Sequence, residues 1–284
     1  MTVNDTPAPA TEAADPDAEA FTAAWEEWHR DKDARLAAEH GFLAITGLHW
    51  LTDEAQRLPD APGLWSTGPD GVTVELGEGE ELVVDGAVVR GRYAFGAIPE
   101  RGGVDAVWGV AVIEVARRGG HDIVRPRHPG HPLRVAFAGT PAYAPAPRWA
   151  VTGRYVPFDA PRPTTVGASV EGLQHVYDAP GSITFRLAGR DLELIAFNGY
   201  TPGGFTVLFT DETSGVTTYA ANRSLRIDAP GPDGEVLLDF NRATNLPCAY
   251  TDFATCPLPP AENRLPVAVE AGERIPRERE PAAS

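Results

Sequence analysis

The fold class this sequence predicts is mainly β: an N-terminal amphipathic helix followed by two β-rich halves, built as a sandwich, a barrel or both. Three observations carry the prediction. A 3.6-residue apolar period is confined to residues 18–40. From Gly41 onward, short runs rich in Val, Ile, Thr and aromatics alternate with clusters of Gly, Pro and Asp, the texture of strands and turns. Two tight turns are written between such runs, Val84-Asp85-Gly86-Ala87 and the Ala188-Gly189-Arg190 link between Ser182–Leu187 and Asp191–Phe197.

Each element follows in order. Residues 1–17 are an acidic tail of Ala, Pro, Asp, Glu and Thr, too polar to bury and expected to be disordered. The helix places Phe21, Trp25, Trp28 and Leu36 on one face, which is expected to anchor on a sheet, and Gly41 stands where a left-handed C-terminal cap belongs. Strands are expected first at Phe42–Ile45, Val72–Leu76, Glu81–Val84, Trp108–Val115 and Arg134–Phe137. Residues 125–147 carry six prolines and read as a connector. Beyond it come Trp149–Tyr155, Thr164–Val170, the hairpin, Phe205–Thr210, Thr217–Ala220, Leu225–Ile227, Val236–Phe240 and Val267–Val269. The organisation is therefore a tail (1–17), a helix with a sandwich-like half (18–124), the connector (125–147), a second β half (148–273) and a polar tail (274–284).

Charge narrows the partners. Lys plus Arg number 24 against 40 Asp plus Glu, a net charge of −16. That balance excludes nucleic acid, whose binding rests on a basic face and counterion release, and it disfavours anionic membrane surfaces. It leaves small neutral or cationic ligands and protein partners, and it is compatible with a homodimer. No run approaches the ~20 apolar residues of a membrane span. Met1–Ala20 holds five acids and no base, unlike a secretory signal, so a soluble cytoplasmic protein with reduced thiols is expected.

The chemistry concentrates between Asp211 and Glu273. Asp239, Asn241, Arg242, Asn245, Cys248, Tyr250, Glu262 and Asn263 crowd an irregular, Pro-rich stretch. Non-repetitive backbone needs side-chain partners, so these groups either pin an ordered loop or line a ligand pocket. Cys248 and Cys256 stand in a C-x7-C spacing that lacks the second pair a structural zinc requires, and small buried thiols are the plainer reading. His121, His128 and His131 have no carboxylate at matching spacing. The Asp211-Glu212-Thr213-Ser214-Gly215 run has no second carboxylate copy for protease chemistry and reads as a turn. No phosphate loop, dinucleotide fingerprint, zinc-protease motif or nucleophile elbow is present, so no cofactor and no metal are expected.

The segment DFNRATNLPCAYTDFATCPLPPAENRLPVAVEAGE, from Asp239 to Glu273, resembles the C-terminal signature of the DUF1684 family, a bacterial and archaeal family of unknown function. GFLAITGLHWL (Gly41–Leu51), FAGTPAY (Phe137–Tyr143) and FTDETSGVTTYAANRSL (Phe209–Leu225) extend the resemblance from about Trp25 to Glu273. The chain departs from the family form at Thr218–Ser224, at His128, Thr244 and Leu246, and in a shortened Thr52–Pro59. The resemblance implies no activity. The stretch from Gly47 to Val115 is faintly similar to a forkhead-associated sandwich, with Val84-Asp85-Gly86 at its turn, which implies a scaffold only.

Two functions from different classes follow. In the first, the chain binds a small molecule, with Arg223, Asp239, Asn241, Asn245 and Asn263 orienting it and Tyr219 and Tyr250 as amphipathic walls. In the alternative it is a cofactor-independent hydrolase or lyase using Cys248 or Cys256 with Asp239, Glu262 or His49. Arg223 and Asp239, at the ends of strands expected to be neighbours, are expected to form an ion pair.

Overall fold

The computed structural model describes residues 16–279, so residues 1–15 of the tail expected over 1–17, and the last residues, 280–284, lie outside the described residues, while Pro16 and Asp17 of that tail already belong to a helix. Helix α1 spans Pro16–Leu36. Trp25 is its buried anchor, and the indole N–H donates to the Asn241 carbonyl at 2.6 Å. The helix therefore docks on the irregular C-terminal block, where a sheet face was expected. Gly41 is not a left-handed cap: its φ is −70°. What it supplies is closeness, because a Cβ there would lie 2.7 Å from the Leu36 carbonyl.

The N-terminal half is two sheets face to face. One has the order β1 (His49–Trp50), β10 (His121–Arg127), β9 (Ala111–Arg118), β8 (Gly103–Trp108), β5 (Leu82–Val84), β6 (Ala87–Val89). The other runs β2 (Gln56–Arg57), β3 (Leu64–Gly68), β4 (Gly71–Glu75), β7 (Arg92–Gly96). Alternation puts Trp65 and Val74 of the second sheet against Leu82, Ile113 and Val124 of the first in a common core. The β5–β6 turn is as expected, with Asp85 and Gly86 both at positive φ.

The C-terminal half is one sheet curled into a half-barrel. Its order is β15 (Arg223–Ile227), β14 (Phe205–Phe209), β13 (Arg190–Asn198), β12 (Gln174–Leu187), β11 (Ala150–Gly167), β16 (Glu235–Asp239). Ile183, Leu194, Val207, Leu225 and Leu238 point inward, and residues 265–271 pack against them. No helix among the described residues is long and apolar enough to cross a membrane.

Several expected strands differ, each for a local reason. Phe42–Ala44 is a 3₁₀ turn. Trp108–Val115 is two strands, because Gly109 takes φ +58° and reverses the chain. Arg134–Phe137 belongs mostly to a short helix, α2 (Pro132–Ala136), which Pro132 starts. Trp149–Tyr155 and Thr164–Val170 belong largely to one strand, β11, whose Pro157 and Pro161 fall where its register on β12 shifts between Pro157 and Arg162. Thr217–Ala220 is a turn region, and Val267–Val269 is held by a side chain, the Val269 N–H donating to Asp211 Oδ2 at 2.7 Å. Strands β15 and β16 end opposite edges of their sheet order and do not pair, so Arg223 and Asp239 are not neighbours in a ladder.

Candidate functional site

The polar block is densely bonded to itself. Arg223 is 1% exposed, pairs with Asp211 at 3.3 Å and donates to the carbonyls of Ala271 and Val269. Asp211, not Asp239, is its partner. Burial pulls the Arg223 guanidinium down from its ordinary range, with Asp211 opposing. Asp239 caps the turn that follows it, accepting from the Asn241 backbone and side chain. Asn241 closes both polar groups of Ala146, and Asn263 ties Ile195 to Leu208. The Tyr219 hydroxyl donates to the Cys248 carbonyl, and burial pushes its pKa up to about 12.

Tyr250 belongs to a buried latch under α1. Lys32 Nζ lies 2.5 Å from Glu273 Oε1, 3.1 Å from the Tyr250 hydroxyl and 3.6 Å from Asp33, while His29 Nε2 is 3.4 Å from Glu273. Burial raises the Glu273 carboxyl, but His29 and Lys32 outweigh it and hold it below the ordinary range. His29, Asp33 and Glu273 have donor atoms close enough for a cation. The Lys32 ammonium already supplies positive charge to both carboxylates, so the cluster fits a helix-docking latch.

The concave feature lies elsewhere, between the two halves. It is a cleft of about 530 Å³. On the curled sheet, strands β14 and β15 build one wall by period two. Val207 and Leu225 face the core, so Thr206, Leu208, Ser224 and Arg226 face the other way, with Thr206 opposite Arg226 and Leu208 opposite Ser224. His175 and Tyr177 on β12 share the lining, as do residues 244–247 and 254–257 of the Pro-rich stretch. The N-terminal half contributes Phe42, Arg101, Arg118 and Arg125.

The cleft's charged lining is four arginines, with no Asp, Glu or Lys. They are of two kinds. Arg118 and Arg125 are held by the buried carboxylate of Glu114, at 3.1 and 2.6 Å, and Arg127 shares the same carboxylate. Burial raises Glu114, but Arg125 and Arg127 outweigh it and keep the carboxyl below its ordinary range. Arg101 and Arg226 have no carboxylate partner among the described residues; their guanidiniums lie 4.8 Å over Tyr177 and 5.1 Å over Tyr200. Arg101 sits at φ +66° in the turn before β8, a strained conformation for a side chain of its size. Burial raises the Tyr177 pKa, with Arg101 opposing.

Two polar atoms on the lining residues are unsatisfied. Thr206 Oγ1 and Asn245 Oδ1 are buried without a hydrogen-bond partner. His175 Nε2 lies 2.8 Å from the Thr255 carbonyl, and a carbonyl only accepts, so Nε2 is the donor.

Of the sequence-predicted ligand residues, Asn245 lines this cleft; of the predicted catalytic set, Cys256 does. Cys248 donates its backbone N–H to Cys256 Sγ at 3.3 Å. The bond between the thiols lowers the Cys248 pKa and raises that of Cys256 well above the ordinary value, with burial adding to the second. Neither thiol hydrogen-bonds Asp239, Glu262 or His49; Glu262 is exposed, and His49 sits on β1 opposite Val124, its pKa lowered by burial. Sequence reasoning missed the arginines and His175. A signal for Arg226 was present, since it stands between the inward-facing Leu225 and Ile227.

The model of a family described as a protein of unknown function (DUF1684) matches residues 135–274. The solution NMR structure of an uncharacterized protein from Haloarcula marismortui is 32% identical, over 50% of this chain and 78% of that one, with a TM-score of 0.42. No curated protein matches.

Proposed function

Since this chain belongs to the DUF1684 family, whose description assigns no activity, its own residues must carry the functional reading, and we propose that it binds a small anionic molecule in the arginine-lined cleft. The observation behind this is one of sign: in a chain of net charge −16, the cleft's charged lining is exclusively arginine. Whole-chain charge favours neutral or cationic ligands, but salt screens distant carboxylates beyond roughly 8 Å, so the local guanidiniums decide what the cleft holds. Its volume suits a metabolite-sized ligand. Arg101 and Arg226 are the reading's anion-contacting residues, and Arg118 and Arg125 form a fixed background already shared with Glu114. A thiolate-based hydrolase has thinner support, because neither Cys248 nor Cys256 has Asp239, Glu262 or His49 as a hydrogen-bond partner to act as its base.

The test is calorimetry with ligands matched in shape and different in charge: gluconate against sorbitol, and hexanoate against hexylammonium. At least one anion is expected to bind and its uncharged or cationic counterpart not to. The pair of substitutions Arg101→Gln and Arg226→Gln is expected to weaken that binding by about tenfold or more, the range of a charge-assisted hydrogen bond. Sorbitol binding as tightly as gluconate, or a double variant indistinguishable from the parent, would defeat the reading.

A further inference from the structure

We propose that the anion carries a flat aromatic ring, as an aryl carboxylate or aryl phosphate does, and that the ring stacks on Tyr177 and Tyr200 while Arg101 or Arg226 takes the head group; this rests on the anion-binding reading above. The arginines account for a ligand's charge and leave its body unspecified. Three aromatic side chains line the cleft with accessible surface of their own: Phe42 is 37% exposed, Tyr177 is half-buried, and Tyr200 is 86% exposed. Tyr200 is the barest large apolar side chain among the described residues, and packing within the fold does not account for a ring left so open.

The backbone fixes where that ring stands. Tyr200 lies in the hairpin between β13 and β14, closed by the Gly199 N–H donating to the Gly204 carbonyl at 2.8 Å and the Gly204 N–H donating to the Thr201 carbonyl at 3.0 Å. The turn is tight enough that a Cβ on Gly199 would lie 2.9 Å from the Phe205 amide nitrogen. Tyr177 is backed by Phe197, with ring centroids 5.5 Å apart. Burial raises the Tyr177 pKa, Arg101 opposes it and Tyr200 adds to it, so the two tyrosines are neighbours.

Arg101 over Tyr177 and Arg226 over Tyr200 therefore make two adjacent rings flanked by two guanidiniums. The N–H groups of a guanidinium lie in its own plane, so one drawn to a ring face keeps an edge for a carboxylate or phosphate. An aryl anion uses both parts at once, its head group on the guanidinium edge and its ring against a tyrosine. A saturated ring of the same size and charge covers similar apolar area and forgoes the pairing of ring quadrupoles.

Calorimetry compares benzoate with cyclohexanecarboxylate and phenyl phosphate with cyclohexyl phosphate, with hexanoate as the open-chain anion. In the pair carrying the preferred head group, the aromatic member is expected to bind about fivefold or more tightly, the factor two aromatic contacts at the weak end of their range supply. Tyr200→Leu is expected to cut that ratio by about twofold or more, the share of one ring, and Tyr200→Phe to keep it. Both variants are expected to melt with the parent, because the side chain is 86% exposed. A ratio cancels any loosening of Arg226 that follows from losing its ring. A ratio near one in every pair that binds, a Tyr200→Leu ratio equal to the parent's, or a preference lost in Tyr200→Phe overturns the ring assignment and leaves the anion reading in place. Binding of hexanoate or gluconate with neither aromatic anion bound does the same. Binding by none of these anions overturns both.

Discussion

Glu273 shows how much one buried carboxylate holds together. It is 1% exposed, and Lys32, His29 and the Asn245 backbone N–H converge on it. Removing its charge leaves the Lys32 ammonium short of its nearest partner, so Glu273→Gln is expected to cost roughly 3–5 kcal/mol in chemical denaturation. The pH dependence follows from the depressed folded-state pKa. Stability from this group is fully present above the ordinary 4.5 and is lost as pH falls through the lower folded value. The parent's melting temperature should fall more steeply with acid below about pH 4.5 than that of Glu273→Gln. Arg223 marks the limit of residue-level legibility. Its need for a buried acid was readable, but spacing alone could not choose between Asp211 and Asp239. The choice was made by the β14–β15 register, which pairs Phe209 with Arg223 and leaves Asp211 two residues beyond, within reach of the guanidinium, while the carbonyls of Val269 and Ala271 accept its other N–H groups. In double-mutant cycles, Arg223→Met should couple strongly to Asp211→Asn and add independently with Asp239→Asn.

At the scale of elements, the legible strands were those with local punctuation. Asp85-Gly86 and Ala188-Gly189 both adopt paired positive φ, and the hairpins formed where expected. Elements whose shape depends on a distant partner were not legible. The prolines in β11 mimic a break, yet the strand continues on both sides of its register shift. Residues 267–269 look like a strand but are bound by Asp211. The hairpin at Ala188 also carries a cost, since Ala at φ +49° is strained where Asn or Gly would not be. Ala188→Asn should raise stability by about 1 kcal/mol with no change in ligand affinity, measured by urea unfolding and calorimetry.

Across the whole molecule, the mainly β class and the family were readable from texture and from the Asp239–Glu273 signature, because both are written in contiguous residues. The cleft was not. Its lining comes from Phe42, the turn at Arg101, the strands β9, β10, β12, β14 and β15, and the Pro-rich stretch up to Pro257, residues spread over most of the chain. A net charge of −16 pointed away from anions because it sums over a surface the ligand does not touch. The central claim is that this cleft takes the anion. The most direct measurement is a titration of isotope-labelled protein with the tighter-binding of gluconate and hexanoate, following backbone and arginine side-chain resonances. Saturable shifts are predicted to cluster on Arg101, Arg226, His175, Thr206 and Asn245. Saturable shifts centred on another part of the surface, such as the His29–Glu273 latch, with these five unmoved, would contradict the account.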